Sequence, residues 1–395
     1  MSILRRKRKS YIFRTSRFFN IFRRNTEAVT TKGNRANLLK HGGEFFSTLF
    51  REIDQAKKTI YLEFYLIRDD NTGRAFADAA LRAVGRRVKV YLLYDYIGCF
   101  DTPGSYFRRL EKGGVICASF NPPTFKKGIG WFDKRDHRKI AVIDGRVAFT
   151  GGPNIGDEYA GYGENFSRWR DVGIRLEGPA VAEFSRLFAE NWPAEKPAVP
   201  ESCTEPYPPA HSGEDEVFVI NGGPHHNRSF IRSAFRMAIA GASDSIIIAN
   251  PYFIPGPQVI RSLLRAVGRG VHVCLILPAK SDVPIVRLIS RSYYASLLKN
   301  GIKVFEREGT ILHAKVMVVD NCWSVIGSAN LDQRSFHRNY EVNVIVDSPS
   351  FGVQVSDMLT DDLARSRQII LAEHEQRGWV IRVMERVCAP ATWFL

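Results

Sequence analysis

The chain alternates short apolar runs with amphipathic stretches, in an order that occurs twice. Residues 38–56 place Phe45, Phe46, Leu49 and Phe50 at helical spacing and predict a helix with one core-facing stripe. The run IYLEFYLI at 60–67 predicts a buried strand, residues 73–84 a helix, and residues 88–94 a second buried strand. This β-α-β order predicts an α/β fold with mixed, largely parallel sheets. Farther on, the apolar run Lys139–Ile143 meets Asp144-Gly145, a tight hairpin signal, and returns at 147–150. Val316–Val319, Asp320-Asn321 and residues 324–326 repeat that pattern.

The repetition goes beyond the hairpins. LRAVGRRVKVYLL (81–93) matches LRAVGRGVHVCLI (264–276) at nine of thirteen positions. Residues 60–67 correspond loosely to 246–254. Gly114 and Gly301 each follow a short helical stretch and precede a strand. The chain therefore reads as an internal duplication. Between the copies, residues 192–216 are rich in proline and polar side chains, which suits a surface crossing with a boundary near residue 210. The expected division is a basic aromatic segment over 1–34, a first α/β domain over 35–195, a linker over 196–215 and a second domain over 216–395.

A length of 395 residues with 45% hydrophobic content suffices for two ordinary domains. Lys+Arg 56 against Asp+Glu 41 gives a net charge of +15, which favours an anionic partner: nucleic acid, anionic lipid, or both. The six cysteines are scattered and form no C-x-x-C pair, so neither a disulfide framework nor a zinc site is indicated, and a reducing, cytosol-facing location fits. No run reaches the roughly 20 apolar residues that a spanning helix needs. Residues 3–24 interleave nine Lys/Arg with Tyr11, Phe13, Phe18, Phe19 and Phe22. Ile12, Phe19 and Phe22 fall near one helical face, so the segment is expected to lie on anionic lipid; a disordered basic tail is the plainer alternative. Residues 122–135 mix Phe125, Ile129, Trp131 and Phe132 with four Lys/Arg just ahead of the first motif. That loop either dips into lipid or packs its aromatics inward.

The chemistry sits in the hairpins. DHRKIAVIDGRVAFTGGPN (136–154) holds His137, Lys139 and Asp144, and LHAKVMVVDNCWSVIGSAN (312–330) holds His313, Lys315 and Asp320 at the same spacing. Gly151 with Asn154, and Gly327 with Asn330, follow at matching distances, and every counterpart lies 176 residues on (137 to 313, 154 to 330). Residues two apart in a strand share a face, so each histidine projects with its lysine. Asp144 and Asp320 have the other parity and end their strands; within the candidate catalytic motifs they read as anchors. An ammonium offsets phosphate charge, while an imidazole attacks phosphorus or moves a proton. Two such half-sites face to face supply a nucleophile, an acid and two cations.

These motifs resemble the HKD motifs of the phospholipase D superfamily. HRKIAVIDGRVAFTGGPNIGDEY, WRDVGIRLEGPAV, ANPYFIPG, LHAKVMVVD and IGSANLDQRSF narrow the resemblance to its bacterial cardiolipin synthases, from about Asn34 to the C-terminus. The resemblance implies a pseudo-twofold fold with both motifs at one cleft. It implies a phosphohistidine on one histidine and acid/base work by the other, with Lys139, Lys315, Asn154 and Asn330 on the phosphate oxygens. It also implies a Glu or Asp on the strand after each motif to orient an imidazole, and Glu341 and Asp171 are the candidates. The near-symmetric motifs do not say which histidine attacks; superfamily precedent favours His137, with His313 as acid/base. No metal or cofactor is implied, because lysines take the part that magnesium often has. The expected reaction joins two phosphatidylglycerols into cardiolipin and glycerol at the cytoplasmic face of the cell membrane. The alternatives are a phosphatidylethanolamine donor or hydrolysis of nucleic acid, which is not expected as an obligate partner. Many members of the family carry N-terminal spans; no such run occurs here, so peripheral attachment is expected.

Overall fold

The computed structural model describes residues 15–123, 132–199, 212–224 and 229–378, with 384, 385 and 388. Helix α1 (Ser16–Thr26) leads into the first copy. That copy runs β1 (Val29–Leu39), α2 (Gly42–Gln55), β2 (Thr59–Phe64), α3 (Asn71–Gly85), β3 (Lys89–Asp95), α4 (Gly104–Lys112), β4 (Ile116–Phe120), β5 (Lys139–Ile143), β6 (Val147–Gly151), β7 (Gly173–Glu177) and α5 (Val181–Asn191). The second copy opens with β8 (Asp215–Gly222), α6 (Phe230–Gly241), β9 (Ser245–Ala249), α7 (Gly256–Gly268), β10 (His272–Pro278), α8 (Pro284–Ser292) and α9 (Tyr294–Lys299). It continues with β11 (Lys303–Arg307), β12 (Val316–Val319), β13 (Trp323–Gly327), α10 (Gln333–His337), β14 (Glu341–Asp347) and α11 (Pro349–Ala364). Strand β15 (Ser366–Gln368) and helix α12 (Leu371–Glu375) follow. Helix α8 has no counterpart in the first copy, where a single 3-10 turn at Asp157–Tyr159 takes the place of α10.

The duplication is carried into the topology. The first copy orders its strands β1-β7-β6-β5-β2-β3-β4, and the second orders the equivalent ones β8-β14-β13-β12-β9-β10-β11. Strands β1 and β8 pair antiparallel and join the copies edge to edge. Parallel pairing is confined to β2–β3–β4 and β9–β10–β11. The motif hairpins and their neighbours are antiparallel, so the sheet is mixed, with a smaller parallel share than the β-α-β pattern implied. The repeated LRAVGR text has a physical counterpart. Arg86 donates to the carbonyl of Ile53 at 2.7 Å, and Arg269 to that of Ile239 at 3.0 Å, closing the ends of α2 and α6 alike.

One apolar cluster draws on both copies. Tyr61, Ile140, Ala148 and Ile174 meet Val217, Ala314, Val316 and Val342 there, so the inner faces of the two copies share a core. Helices α2, α3 and α4 cover the outer face of the first copy, and α1, α6, α7 and α9 that of the second.

The N-terminal region departs from expectation. Thr15 caps α1 by accepting from the backbone N–H of Phe18 at 3.2 Å. Phe22 is fully buried, with its ring 5.5 Å from Trp323 and 5.6 Å from Phe218; Phe18 lies 5.9 Å from Trp323. The aromatic stripe expected to enter lipid is thus part of the second copy's core, and Arg17, Arg23 and Arg24 face outward. A helix that docks on protein and one that docks on lipid show the same amphipathic spacing. Strand β1 also begins before the expected start of the first domain. Val29–Thr31 pair with β8 and Arg35–Leu39 with β7, across a register shift at Thr31/Asn34. Polar residues fill this strand, which hid it, and the predicted helix over 38–56 begins only at Gly42. Ile12, Phe125 and Trp131 lie outside the described residues. Among the described residues, no helix is long and apolar enough to cross a membrane.

Candidate active site

The hairpin turns carry the motif aspartates. Asp144 and Gly145 have φ of 53° and 63°, and Asp320 and Asn321 have 51° and 53°. Paired positive values are those of the tight turns that match strand twist, which explains Asp-Gly and Asp-Asn here. The Asp144 carboxylate accepts from the backbone N–H groups of Lys57, Lys58 and Thr59 at 2.9, 2.7 and 3.0 Å. Asp320 accepts from Ser243, Asp244 and Ser245 at 2.8, 2.8 and 2.9 Å. Both aspartates therefore pin the motif strand to the start of its neighbour and lie away from the cleft.

The histidines are held from the opposite copy. The backbone N–H of His137 donates to the carbonyl of Tyr340 at 2.9 Å, and that of His313 to the carbonyl of Arg170 at 2.8 Å. The next residue in each case is the candidate orienting acid. Both Glu341 carboxylate oxygens lie 3.0 Å from His137 Nδ1, and Asp171 Oδ2 lies 2.6 Å from His313 Nδ1. Each acid thus follows one motif in sequence and holds the histidine of the other, a crossing that the sequence does not reveal. Ser328 and Ser335 donate to Glu341 at 2.5 and 2.9 Å. The counterpart of Ser328 is Gly152, and an added Cβ there would stand 2.0 Å from Asp171 Oδ1. The shorter aspartate therefore goes with a glycine, and the longer glutamate with a serine.

A cavity of 410 Å³ lies between the copies, and His137, Asn154, His313 and Asn330 all line it. Lys139 Nζ donates to the carbonyl of His137 at 2.7 Å; Lys315 Nζ donates to that of His313 at 2.5 Å and lies 2.9 Å from both ring nitrogens. The buried side-chain oxygens of Asn154 and Asn330 have no partner among the described residues, and it is through the amide N–H groups that these two wall residues can meet phosphate oxygens. The motif reading missed several wall residues. Tyr65 lies 5.0 Å from the His137 ring, and Tyr159 and Trp169 flank the His313 ring at 5.2 and 5.6 Å. Tyr252, hydrogen-bonded to Asp282 at 2.5 Å, and the cations Arg68 and Arg334 complete the wall. Tyr65, Arg68, Tyr252 and Asp282 stand within four residues of the ends of β2, β9 and β10, a signal that could have marked them, and Tyr159, Trp169, Tyr252 and Arg334 fall inside the stretches that carry the family resemblance.

Electrostatics favour a neutral imidazole on a carboxylate. Burial lowers His137 to about 4, against the upward pull of Glu341. Burial, then Lys315, also lowers His313. Burial pushes Glu341 and Asp171 upward, but their histidines and the neighbouring lysines outweigh it and hold both below the ordinary carboxylate value. A neutral His137 whose Nδ1–H donates a hydrogen bond to the Glu341 carboxylate keeps an electron pair on Nε2. Burial lowers Lys139 to about 7 and Lys315 to about 8.

A twofold sheet with paired histidines and lysines at one interfacial cleft defines the phospholipase D class. The family model described as "Cardiolipin synthase, PLD-like domain" matches residues 49–192 and 235–364. Cardiolipin synthase A of Pseudomonas syringae pv. syringae is 38% identical over 353 residues, which cover 87% of this chain and 72% of that one. Cardiolipin synthase of Geobacillus thermodenitrificans is 36% identical over 354 residues, 89% of this chain and 70% of that one. Among solved structures, phosphatidylserine synthase of Haemophilus influenzae aligns with a TM-score of 0.70 at 13% identity, covering 97% of this chain and all of that one; it shares the fold. The chain belongs to the cardiolipin synthase family of phospholipase D-like proteins.

Proposed function

We propose that this chain is a cardiolipin synthase that moves a phosphatidyl group from one phosphatidylglycerol to another. The observation that carries the reading is the crossed support of His137 by Glu341 and of His313 by Asp171 around one cavity. His137 Nε2 attacks the phosphodiester phosphorus. The bond to the glycerol oxygen breaks as His313 gives that oxygen a proton, and glycerol leaves. A hydroxyl of the second phosphatidylglycerol then loses its proton to His313 and attacks the phosphohistidine, which frees His137 and yields cardiolipin. Lys139, Lys315, Asn154 and Asn330 stabilise the charge that builds on the phosphoryl oxygens. We assign the enzyme to the cytoplasmic face of the cell membrane as a peripheral protein. The free state of the described cysteines, Cys99, Cys117, Cys274, Cys322 and Cys388, supports a reducing compartment.

The test is thin-layer chromatography of phosphatidylglycerol vesicles after incubation with the protein. Cardiolipin and glycerol in equal amounts are expected. Phosphatidic acid as the sole lipid product would make the protein a hydrolase instead.

A further inference from the structure

Three large apolar side chains are exposed next to residues of the cleft wall. Phe100 is 71% exposed, Phe166 46% and Ile285 41%. Phe100 and Ile285 occupy equivalent places in the two copies: the connection from β3 to α4, and the connection from β10 to α9 that contains α8. Both connections leave the carboxyl ends of their strands: Asp95 at the end of β3 holds Arg135 of the cleft wall at 3.2 Å, and the connection after β10 supplies Asp282 and Val283 to that wall. Arg68, in the cleft wall, pairs with Asp101, the neighbour of Phe100, at 3.7 Å. Ile285 stands between Val283 and Val286, and both line the cleft. The Phe166 carbonyl accepts from Nε1 of Trp169, another wall residue, at 3.0 Å. The ammonium of Lys280 lies 4.5 Å from the centre of the Phe166 ring, two residues before Asp282 in the wall.

Isolated exposed side chains are ordinary on a protein surface. Three that frame one opening, with a lysine against one of them, form a pattern that suits a headgroup–acyl boundary: rings and branched chains enter the apolar side and the ammonium stays with phosphate. The cavity points the same way. A volume of 410 Å³ takes a glycerophosphate headgroup but not the acyl chains as well. A phospholipid substrate must keep its chains outside, and they remain in an apolar medium only if the mouth meets the bilayer.

We propose that Phe100, Phe166 and Ile285, with Lys280, form a docking rim that seats the cleft mouth on a bilayer containing anionic phospholipid. The proposal rests on the reading of the substrate as a membrane phospholipid. It places the docking surface at the active-site opening rather than on α1, whose aromatic residues Phe18 and Phe22 are used in the core.

The test combines sedimentation with sucrose-loaded vesicles of phosphatidylglycerol and phosphatidylcholine, and turnover of dihexanoyl phosphatidylglycerol below its micellar concentration. The Phe100→Ser/Phe166→Ser/Ile285→Ser protein is expected to bind vesicles at least about tenfold more weakly, given the apolar area withdrawn from lipid. It should turn over the short-chain lipid like the parent, because the rim does not touch the reacting groups. Vesicle binding equal to the parent's would overturn the proposal. So would a loss of binding on changing Arg17, Arg23 and Arg24 to glutamine that the rim variant does not share. Should the triple variant also lose short-chain turnover, sedimentation of Phe100→Ser alone and Ile285→Ser alone decides, and undiminished binding by both overturns the rim. A parent that binds vesicles through the rim but leaves short-chain phosphatidylglycerol untouched would sink the substrate reading and leave the rim standing.

Discussion

The carboxylate of Glu341 holds Nδ1 of His137 at 3.0 Å from 204 residues farther along the chain. Tyr340, its neighbour, holds the same residue by the backbone. The histidine is thus fixed at two points by the other copy, so neither copy alone has an oriented site.

The reaction should show a bell-shaped pH profile. Its acid limb belongs to His137, which attacks only when neutral and therefore gains activity as pH rises through about 4. Its alkaline limb belongs to the cations: His313, lowered by burial and then Lys315, must hold the proton that it gives the leaving oxygen, and the lysines lose their charge through about 7 for Lys139 and about 8 for Lys315. Measured kcat/KM for a short-chain substrate should peak between these limbs, and with a phenol leaving group that departs without a proton Lys139→Arg should move the alkaline limb upward. A rate still climbing above pH 9 would contradict the assignment.

Gly152→Ala should act at a distance on His313. The new Cβ would stand 2.0 Å from Asp171 Oδ1, so the carboxylate must leave its place. Turnover should fall roughly 10²–10⁴-fold, as when a histidine loses its orienting acid. Asp171→Asn should match it, with a melting temperature near the parent's in both. An active Gly152→Ala enzyme would show that His313 does not need Asp171.

The motif aspartates should matter for stability more than for chemistry. Asp144→Ala and Asp320→Ala each strand three backbone N–H groups and should cost about 2–4 kcal/mol in urea unfolding. The protein that remains folded should keep most of its turnover per molecule. Loss of turnover without loss of stability would place the aspartates in the chemistry.

Phe22→Ala should destabilise the protein by about 3–5 kcal/mol, because the ring is fully buried against Trp323 and Phe218. Removal of residues 1–24 should therefore lower the melting temperature as well as remove basic charge. An unchanged melting temperature would mean that α1 is dispensable to the core.

The parts that were legible in the sequence are the local ones. Alternation and Asp-Gly or Asp-Asn turns marked the motif hairpins at Lys139–Ile143 and Val316–Val319, because a two-residue turn fixes register within a few positions. The duplicated LRAVGR text marked equivalent helices because Arg86 and Arg269 make equivalent bonds. What stayed hidden depends on distant partners. Strand β1 carries polar residues because it is a splice between two copies, and its pairing with β8 needs residues almost two hundred positions away. Glu341 and Asp171 were visible as strand-opening acids, but not which histidine each one serves. The inward turn of Phe18 and Phe22 was hidden because Trp323, the ring that receives them, lies at the far end of the sequence.

The central claim is that His137 takes the phosphoryl group and His313 moves the protons. It is tested most directly by mass spectrometry of motif peptides from enzyme quenched at alkaline pH, where a phosphohistidine survives. The substrate is a phosphodiester with a low-pKa phenol, which departs without a proton. His313→Asn should release a burst of phenol, stall, and carry the adduct on His137, while His137→Asn shows neither burst nor adduct. An adduct on His313 in the His137→Asn protein would contradict the assignment of roles. Absence of an adduct from both variants, with the parent still making cardiolipin, would contradict the covalent mechanism itself.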